Sequence, residues 1–306
     1  MKIFAASGTD ANAFVPVLIL AESYQQMRGE VVNVCDFGMT PAQVKLLSQY
    51  ANVLPRPEDL AGDIHPYKMK SALSRYVSGT GESYDAFAWI DADMVVLPGF
   101  SESFEEQVAR QLKSGKLISA APDDNDMSLG EFCIHCTQLG QDLRYFEKQI
   151  SDRGIEKTNA YFNCGFFICL EYDFLEDWRQ TTWQTTDSCL IDQNAFNIVA
   201  YSTGNVDQLS RAKWNAHGRD LGKVVPSVDR PGSFLVDGQR SYAVHATSEG
   251  MRFHEHRVVN WAIDDVPYAA EMKLFRNPSL QKTQIDYFLA VLKRTDTPLL
   301  TPFLAK

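Results

Sequence analysis

The chain has 306 residues, of which 45% are apolar and 22% are charged. These values are typical of a globular protein with one large domain or two small ones, and they exclude disordered and fibrous proteins. The 39 acidic residues outnumber the 29 basic residues and give a net charge of −10. This charge argues against nucleic acid as a partner, because the surface would repel a phosphate backbone.

The sequence also bears on the location of the protein. No run approaches about 18 consecutive apolar residues, so we expect no transmembrane helix. The apolar start of the chain is too short for a signal peptide, since Asp10 follows closely. Six cysteines are few for this length, which favours free thiols over a disulfide framework. We therefore expect a cytoplasmic protein.

The first fifty residues alternate between predicted strands and helices. Apolar runs that stop at turn residues indicate buried strands, and apolar side chains at helical spacing indicate helices. The predicted elements are a strand over residues 3–7, a helix over 15–27, a strand over 31–35 and a helix from about 40 to 50. This alternation predicts an α/β domain with a mostly parallel sheet.

The same patterns continue along the rest of the chain. Further predicted elements are a helix over residues 68–77, strands over 86–90, 117–121 and 162–170, short strands and loops over about 200–260, and a helix over 279–294. From residue 272 to the end, six Lys and Arg residues stand against two Asp and Glu. We interpret this basic segment as a solvated terminal helix, with weak contact to a membrane surface as the alternative.

Two carboxylates follow the predicted strand over residues 86–90. Asp91 and Asp93 are two residues apart, and residues at this spacing in a strand point to the same face. Ligands of open α/β sheets bind beyond the carboxyl ends of the strands. Two close carboxylates repel each other unless a cation lies between them, and oxygen ligands favour Mg²⁺ or Mn²⁺. The pair therefore predicts a divalent metal that bridges to a substrate diphosphate.

The same pattern has a second interpretation. Phosphatases of the haloacid dehalogenase type also place an Asp-x-Asp pair after an apolar strand, with Asp91 then acting as the nucleophile. Here the pair follows a complete β-α-β unit, and no downstream Ser/Thr and Lys pair is evident. Cys133 and Cys136 have the spacing of a metal or redox motif, but no second Cys/His pair lies at zinc-site distance. We interpret that segment as a structural or surface segment.

Five segments resemble those of known sugar transferases. The segment 89–97, with Asp91 and Asp93, resembles the metal motif of nucleotide-sugar glycosyltransferases with the GT-A fold. The other segments resemble glycosyltransferase family 8, the lipopolysaccharide galactosyltransferase and glycogenin group. In the order of that family, they are 161–167 (Tyr-Phe-Asn-Cys-Gly-Phe-Phe), 192–197 (Asp-Gln-Asn-Ala-Phe-Asn), 213–215 (Lys-Trp-Asn) and 244–247 (Val-His-Ala-Thr).

The resemblance implies a GT-A fold, which is a Rossmann-like mixed sheet, mostly parallel and flanked by helices. It implies a catalytic domain over 1–270, with a nucleotide-binding half over about 1–125 and an acceptor half over about 126–270. Residues 271–306 would form a C-terminal helical segment. The implied activity is retaining transfer of a sugar from a nucleoside diphosphate, most often UDP, to a glycan, glycolipid or protein, with Mn²⁺ or Mg²⁺ as cofactor.

The resemblance also implies roles for individual residues. Asp91, Asp93 and His245 would be the metal ligands. Ala5, Ala6 and Ser7 would line the uracil and ribose pocket, with Asp10 replacing the Asp that the family often has in place of Ser7. Lys70, or Lys68, would contact the donor. The residues around the reacting sugar would be Asp123, Asn163, Asp192 and Gln193, with Asp192 or Gln193 on the face opposite the leaving group.

One departure from the family concerns the diphosphate. The family has a Lys-Pro-Trp sequence shortly after the late histidine, where the lysine contacts the diphosphate. Arg252 is the residue of this chain that we expect to replace that lysine, because a guanidinium binds phosphate through two hydrogen bonds. His254 and His256 are further candidates. Two other functions stay open, namely a haloacid-dehalogenase-like phosphatase and a non-catalytic module that binds nucleotide sugars.

Overall fold

The computed structural model describes residues 1–247, 252–263 and 266–295. The strands in these ranges are β1 (Ile3–Asp10), β2 (Val32–Gly38), β3 (Ala51–Leu54), β4 (Ala86–Ile90), β5 (Met94–Val96), β6 (Ile118–Pro122), β7 (Phe162–Cys169), β8 (Val206–Gln208), β9 (Val225–Pro226), β10 (Phe234–Val236), β11 (Gln239–Ser241), β12 (Ala243–His245), β13 (His254–Ile263) and β14 (Val266–Phe275).

The helices connect these strands. They are α1 (Phe14–Arg28), α2 (Pro41–Leu47), α3 (Pro66–Ser71), α4 (Leu73–Gly79), α5 (Phe100–Ser114), α6 (Leu129–Gln138), α7 (Arg144–Asp152), α8 (Tyr172–Gln184), α9 (Ile191–Thr203), α10 (Arg211–Trp214) and α11 (Pro278–Thr295). Short 3₁₀ turns cover Glu58–Leu60 and Gly218–Lys223. No helix in the described part of the chain is long and apolar enough to cross a membrane.

The main sheet has seven strands in the order β3-β2-β1-β4-β7-β6-β8. Strand β2 runs parallel to both β1 and β3, and β6 runs parallel to β8 and antiparallel to β7. The predicted α/β class with a mostly parallel sheet is therefore confirmed. The residues divide into two compact units, with residues 6–55, 90–104 and those from 212 onward in one, and residues 1–5, 56–89 and 105–211 in the other.

The unit that contains residues 90–104 is built around α1. Its apolar side chains are buried, and the Ser23 hydroxyl accepts a hydrogen bond from the backbone N–H of Val96 on β5 at 3.2 Å. Strand β5 pairs antiparallel with β12. Helix α11 packs here as well, and the Tyr50 hydroxyl donates to the Val291 carbonyl at 2.9 Å. The C-terminal helix therefore belongs to the core of this unit.

The other unit contains β6, β7 and β8 with helices α6 to α9. The ring of Trp178 meets those of Phe167 and Phe196 edge to face in its interior, and the two phenylalanine rings are tilted against each other, with centroids 5.0–5.9 Å apart. Cys133 and Cys136 lie on α6, inside an apolar cluster with Phe132, Phe146 and Tyr161. All six cysteines lie outside disulfides, and the burial of Cys133 and Cys136 favours the structural over the surface interpretation of the Cys-x-x-Cys segment.

Two predicted elements differ from the structure. The helix predicted over 68–77 is divided into α3 and α4 at Ala72. The short strands and loops predicted up to about residue 260 give way to a hairpin in which all ten residues of β13 pair with β14. Charged and apolar residues do not alternate regularly along these two strands, so the period-2 signal of a half-buried strand is weak. Strand β14 also runs through residue 270, the residue at which the predicted catalytic domain ends.

Candidate functional site

The carboxylate pair lies in a turn between two buried strands. All five residues of β4 are buried, and Asp91 and Asp93 follow its end. The backbone N–H of Met94 donates to the Asp91 carbonyl at 3.0 Å and closes the turn before β5. We predicted that the two aspartates converge because they share one face of a strand, but the strand ends at Ile90. Their side chains converge because of the turn that follows the strand.

The pairing of β5 with β12 positions the third predicted metal ligand. His245 lies opposite Met94 in the antiparallel register, and the backbone N–H of Ala246 donates to the Asp93 carbonyl at 3.1 Å. His245 Nε2 lies 3.0 Å from Asp93 Oδ1 and 3.7 Å from Asp91 Oδ2. One ligand atom from each of the three side chains lies within 4.8 Å of the other two. The structure therefore brings the predicted ligands together.

A buried amide orients the imidazole of His245. Asn215 is fully buried, and its Oδ1 lies 2.9 Å from His245 Nδ1. A carboxamide oxygen can only accept, so Nδ1 of His245 donates to Asn215 and Nε2 faces the two carboxylates. Metal-binding histidines commonly have such a partner on the second nitrogen. Asn215 is the last residue of the Lys-Trp-Asn segment, for which the sequence alone indicated no role.

A lysine that is not among the predicted site residues contacts the same site. Lys273 lies on β14, and its Nζ is 2.7 Å from Asp93 Oδ2. Burial would raise the pKa of the Asp93 carboxyl, but the neighbouring His245 and Lys273 outweigh this effect and hold the pKa well below its usual range. No local motif marks Lys273, because its position depends on a pairing between strands far from the aspartates in sequence.

The donor atoms of this centre suit a divalent metal. Two carboxylates and one imidazole nitrogen are ligands that Mn²⁺ accepts, and the carboxylates also suit Mg²⁺. Nδ1 of His245 is engaged by Asn215, and Nε2 is directed at both carboxylates, where it can act as a metal ligand. Asp91, Asp93 and His245 therefore fit the expected metal.

A second cluster of predicted site residues forms in the unit that contains β6 and β7. Gln193 Nε2 donates to Asp123 Oδ2 at 2.7 Å, and Asn163 Nδ2 lies 3.5 Å from Asp123 Oδ1. Asp123 follows the end of β6, Asn163 lies on β7 and Gln193 lies in the first turn of α9. The antiparallel pairing of β6 with β7 brings the first two of these residues together.

A buried ion pair belongs to the same cluster. Lys70 Nζ lies 3.5 Å from Asp192 Oδ2, and both residues are less than a tenth exposed. The Cys164 thiol lies 3.5 Å from the same oxygen. Asp192 is in the first turn of α9, where a negative charge interacts favourably with the helix dipole. Lys70 therefore lies on a buried helix face, as a donor contact would require.

The remaining predicted residues occupy varied surroundings. Ser7 is buried in β1, and its hydroxyl has no hydrogen-bond partner among the described residues. Asp10 accepts backbone N–H groups of Asn12 and Ala13, both at 2.9 Å, and so orders the loop before α1. Ala5 and Ala6 are buried in β1. Arg252 lies in an exposed turn before β13.

The two spare histidines lie at the start of β13. His254 is fully buried, and neither of its ring nitrogens has a hydrogen-bond partner in the described part of the chain. Burial first, and then the charges of Lys273 and other neighbours, lower the pKa of His254 to about 4. His256 contacts Glu271 instead. His254 is therefore a neutral, buried group, whereas His256 belongs to a surface pair.

Comparison with known proteins identifies the fold. No protein-family profile and no curated protein sequence matches the chain. Among solved structures, the bifunctional glycosyltransferase WbbM is 13% identical, with 96% of this chain and 52% of that chain covered and a TM-score of 0.56. The galactosyltransferase LgtC, solved with donor and acceptor sugar analogues, is 13% identical over 97% of this chain and 96% of that one, with a TM-score of 0.53.

A third similar structure is the glycosyltransferase GlyE of Streptococcus pneumoniae TIGR4, which is 11% identical over 98% of this chain and 66% of that one, with a TM-score of 0.50. The chain thus spans about half the length of WbbM and nearly all of LgtC. At such low identity the likeness concerns the fold. The chain has the GT-A fold of these glycosyltransferases, as the sequence motifs indicated.

Proposed function

We propose that this protein is a metal-dependent, retaining glycosyltransferase. It would transfer a sugar from a nucleoside diphosphate, most simply UDP, to a glycan, glycolipid or protein acceptor. The observation that carries the proposal is the cluster of Asp91, Asp93 and His245 in a chain with a GT-A fold. The orientation of His245 by buried Asn215 supports it, because metal-binding histidines commonly have a hydrogen-bond partner on the second ring nitrogen.

The metal centre would serve the leaving group. Asp91, Asp93 and His245 would hold a divalent ion, which would supply positive charge to the departing diphosphate. Asn215 keeps His245 Nε2 directed at the carboxylates. The exposed guanidinium of Arg252 would bind the diphosphate in place of the family lysine. An acidic protein needs such local cations to hold a phosphate-bearing substrate.

The second cluster would hold the donor sugar. Asp123 and Asn163 offer a carboxylate and an amide suited to sugar hydroxyls. Glycosyl transfer passes through a transition state with positive charge on the sugar ring. Asp192 or Gln193 would lie on the face of the ring opposite the diphosphate and stabilise that charge, with Lys70 limiting the repulsion among the carboxylates of the cluster. Lys70 would also contact the donor.

The nucleoside would bind at β1. Ala5 and Ala6 would bring backbone close to the ligand, and the Ser7 hydroxyl, which has no hydrogen-bond partner among the described residues, could accept or donate. Asp10 would contact the nucleoside only if it released the backbone N–H groups from which it now accepts hydrogen bonds. The six free thiols support a reducing, cytoplasmic location.

The test is a panel of sugar nucleotides with and without Mn²⁺, read by release of the nucleotide. We expect turnover with a UDP-sugar and Mn²⁺ and none with generic phosphoesters. Phosphate release from phosphoesters together with a phosphoenzyme would favour the phosphatase. Binding of UDP without donor turnover would favour the non-catalytic module.

Asp93→Asn sharpens this test. The amide keeps the shape of the side chain but removes one charge from the metal ligands, so turnover should fall at least about tenfold at limiting Mn²⁺ and recover in part at high Mn²⁺. A covalent aspartyl nucleophile, Asp91 in the phosphatase interpretation, would not be rescued by metal after Asp91→Asn. Asp237→Asn is the matched control, because Asp237 pairs with Lys223 on the surface. If Asp93→Asn kept full activity at low Mn²⁺, the metal centre would be elsewhere.

A further inference from the structure

Lys273 holds one carboxylate of the metal centre with its own positive charge. Its Nζ lies 2.7 Å from Asp93 Oδ2, on the other oxygen from the one that faces His245 Nε2. Both side chains are mostly shielded from solvent, with 24% of Lys273 and 19% of Asp93 exposed. In such surroundings the attraction is screened less than on the surface. Asp93 therefore has a resident cation before any metal binds.

The β13–β14 hairpin fixes this contact. Lys273 lies directly opposite His256, and Phe275 lies opposite His254, so these four residues share one face of the hairpin. Leu274 and Phe275 beside it are buried, and Gln284 of α11 donates its amide to the Lys273 carbonyl at 2.8 Å. The backbone of Lys273 is thus anchored by packing and hydrogen bonds. The surrounding structure therefore holds the ammonium of Lys273 beside Asp93.

A divalent ion and this ammonium would compete for the same carboxylate. A metal bound by Asp91, Asp93 and His245 brings two positive charges next to Lys273, and like charges at such distances repel strongly. The ion must therefore displace the ammonium or bind more weakly in its presence. A nucleoside diphosphate would change this balance, because its negative charge can accommodate the ion and the displaced ammonium together.

We propose that Lys273 is a built-in counter-cation that makes metal binding depend on the nucleotide. This inference rests on the proposed function. It assigns to Lys273 the coupling between binding of the divalent ion and binding of the nucleotide at the Asp91–Asp93–His245 centre. In the absence of nucleotide, Lys273 lowers the affinity for the divalent ion. With the diphosphate present, the ammonium moves from Asp93 to the diphosphate and the ion binds tightly. Metal and nucleotide then bind as a pair.

The experiment measures Mn²⁺ binding directly, by the electron paramagnetic resonance signal of free Mn²⁺, with and without UDP. We compare the wild type with Lys273→Met and with Lys273→Arg, which keeps the charge. Lys282→Met is the matched control, because Lys282 pairs with Asp286 on exposed α11. Lys273→Gln replaces Lys273→Met if the latter unfolds, and thermal unfolding of every variant checks the fold.

Without UDP, Lys273→Met should bind Mn²⁺ at least about fivefold more tightly than the wild type, in the usual range of coupling between two sites. Addition of UDP should strengthen Mn²⁺ binding by at least about fivefold in the wild type and much less in Lys273→Met. Lys273→Arg and Lys282→Met should behave as the wild type. A merely structural role for Lys273 would lower the melting temperature without raising the affinity for Mn²⁺.

Two results would overturn the proposal. If Lys273→Met bound Mn²⁺ no more tightly than the wild type in the absence of UDP, Lys273 would not be a counter-cation, even though the metal centre would stand. If UDP strengthened Mn²⁺ binding equally in both proteins, the coupling would not pass through Lys273. If the wild type bound no Mn²⁺ even with UDP, the proposed function and this inference would both fail. Absence of sugar transfer with these binding results intact would overturn the proposed function alone.

Discussion

At the scale of single residues, the candidate metal centre depends on the orientation of the His245 ring. Asn215 sets this through one hydrogen bond of 2.9 Å from a fully buried position. Without a partner on Nδ1, the ring is free to choose its tautomer and to turn away from the carboxylates. The asparagine therefore acts on the metal through the histidine and has no need to touch the ion.

We predict that Asn215→Leu weakens Mn²⁺ binding by about 10–100-fold, the usual effect of removing a partner of a metal-binding histidine. Titration of Mn²⁺ in the presence of UDP measures the change. Asn52→Leu is the control, because Asn52 pairs with Asn33 on an exposed part of β3. Unchanged Mn²⁺ affinity in a folded Asn215→Leu protein would show that the His245 tautomer is set by another group.

A second prediction at this scale concerns pH. His254 is buried with no partner on either ring nitrogen among the described residues, and its pKa is lowered to about 4, below the usual value near 6.5. Between these two values the unfolded chain binds a proton that the folded chain does not, so stability falls as the pH falls. The charged groups that act on His254 are Lys273, His256, Arg276 and, in the opposite direction, Asp93.

We expect the free energy of unfolding to fall by up to about 2 kcal/mol between pH 7 and pH 5 on account of His254. His254→Phe should remove this part of the pH dependence, because an apolar ring of similar shape takes up no proton and leaves no buried nitrogen unpaired. Urea unfolding at both pH values measures it. His135→Gln, at an exposed position of α6, should keep the wild-type slope. An equal slope in His254→Phe would contradict the prediction.

At the scale of elements, the contact between β1 and β2 has no room for a side chain at Gly8. A Cβ built on Gly8 would lie 2.1 Å from Cζ of Phe37, well inside van der Waals contact. Phe37 is itself mostly buried, so its ring has little freedom to move away. Gly8 follows Ser7 in the strand that would bind the nucleoside, and the ring of Phe37 therefore packs directly under that site.

We predict that Gly8→Ala lowers the free energy of unfolding by about 1–3 kcal/mol through overpacking. The double variant Gly8→Ala/Phe37→Leu should lose less than the sum of the two single changes, since the smaller side chain makes room for the new methyl group. Gly79→Ala is the control, because nothing lies within 4 Å of a Cβ built there. If the losses in the free energy of unfolding were simply additive in the double variant, the clash would be relieved in another way.

At the scale of the whole molecule, the proposed function predicts linkage between ligand binding and stability. UDP with Mn²⁺ at about 100 times the dissociation constant should add roughly 2.7 kcal/mol to the free energy of unfolding. In a protein of this size that corresponds to a rise of several degrees in melting temperature. UDP without Mn²⁺ should give a smaller rise. No shift with UDP, GDP or dTDP in the presence of Mn²⁺ would argue against any nucleotide donor.

The carboxylate pair of the candidate metal centre could be predicted from the sequence because its signal is local. An apolar strand followed by Asp91 and Asp93 can be recognised without knowledge of the rest of the chain, whereas His245 was predicted only through the resemblance to a family. Lys70 and Asp192 were predicted as site residues only through the resemblance to a family, since a lysine in a helix is usually solvated, and their ion pair was not predicted. The α/β class followed from the alternation of elements, which depends on local periodicity.

The sequence alone was sufficient to predict the fold class and the carboxylate pair, because residue type and strand ends are properties of short segments, and the resemblance to a family added His245 to the predicted metal ligands. It did not predict the tautomer of His245 or the cation on Asp93. Asn215 and Lys273 reach the centre only after α10 has been placed beside β12 and β13 has paired with β14. Such contacts join residues 30 and 180 positions apart. They depend on packing over the whole unit, which no local pattern records.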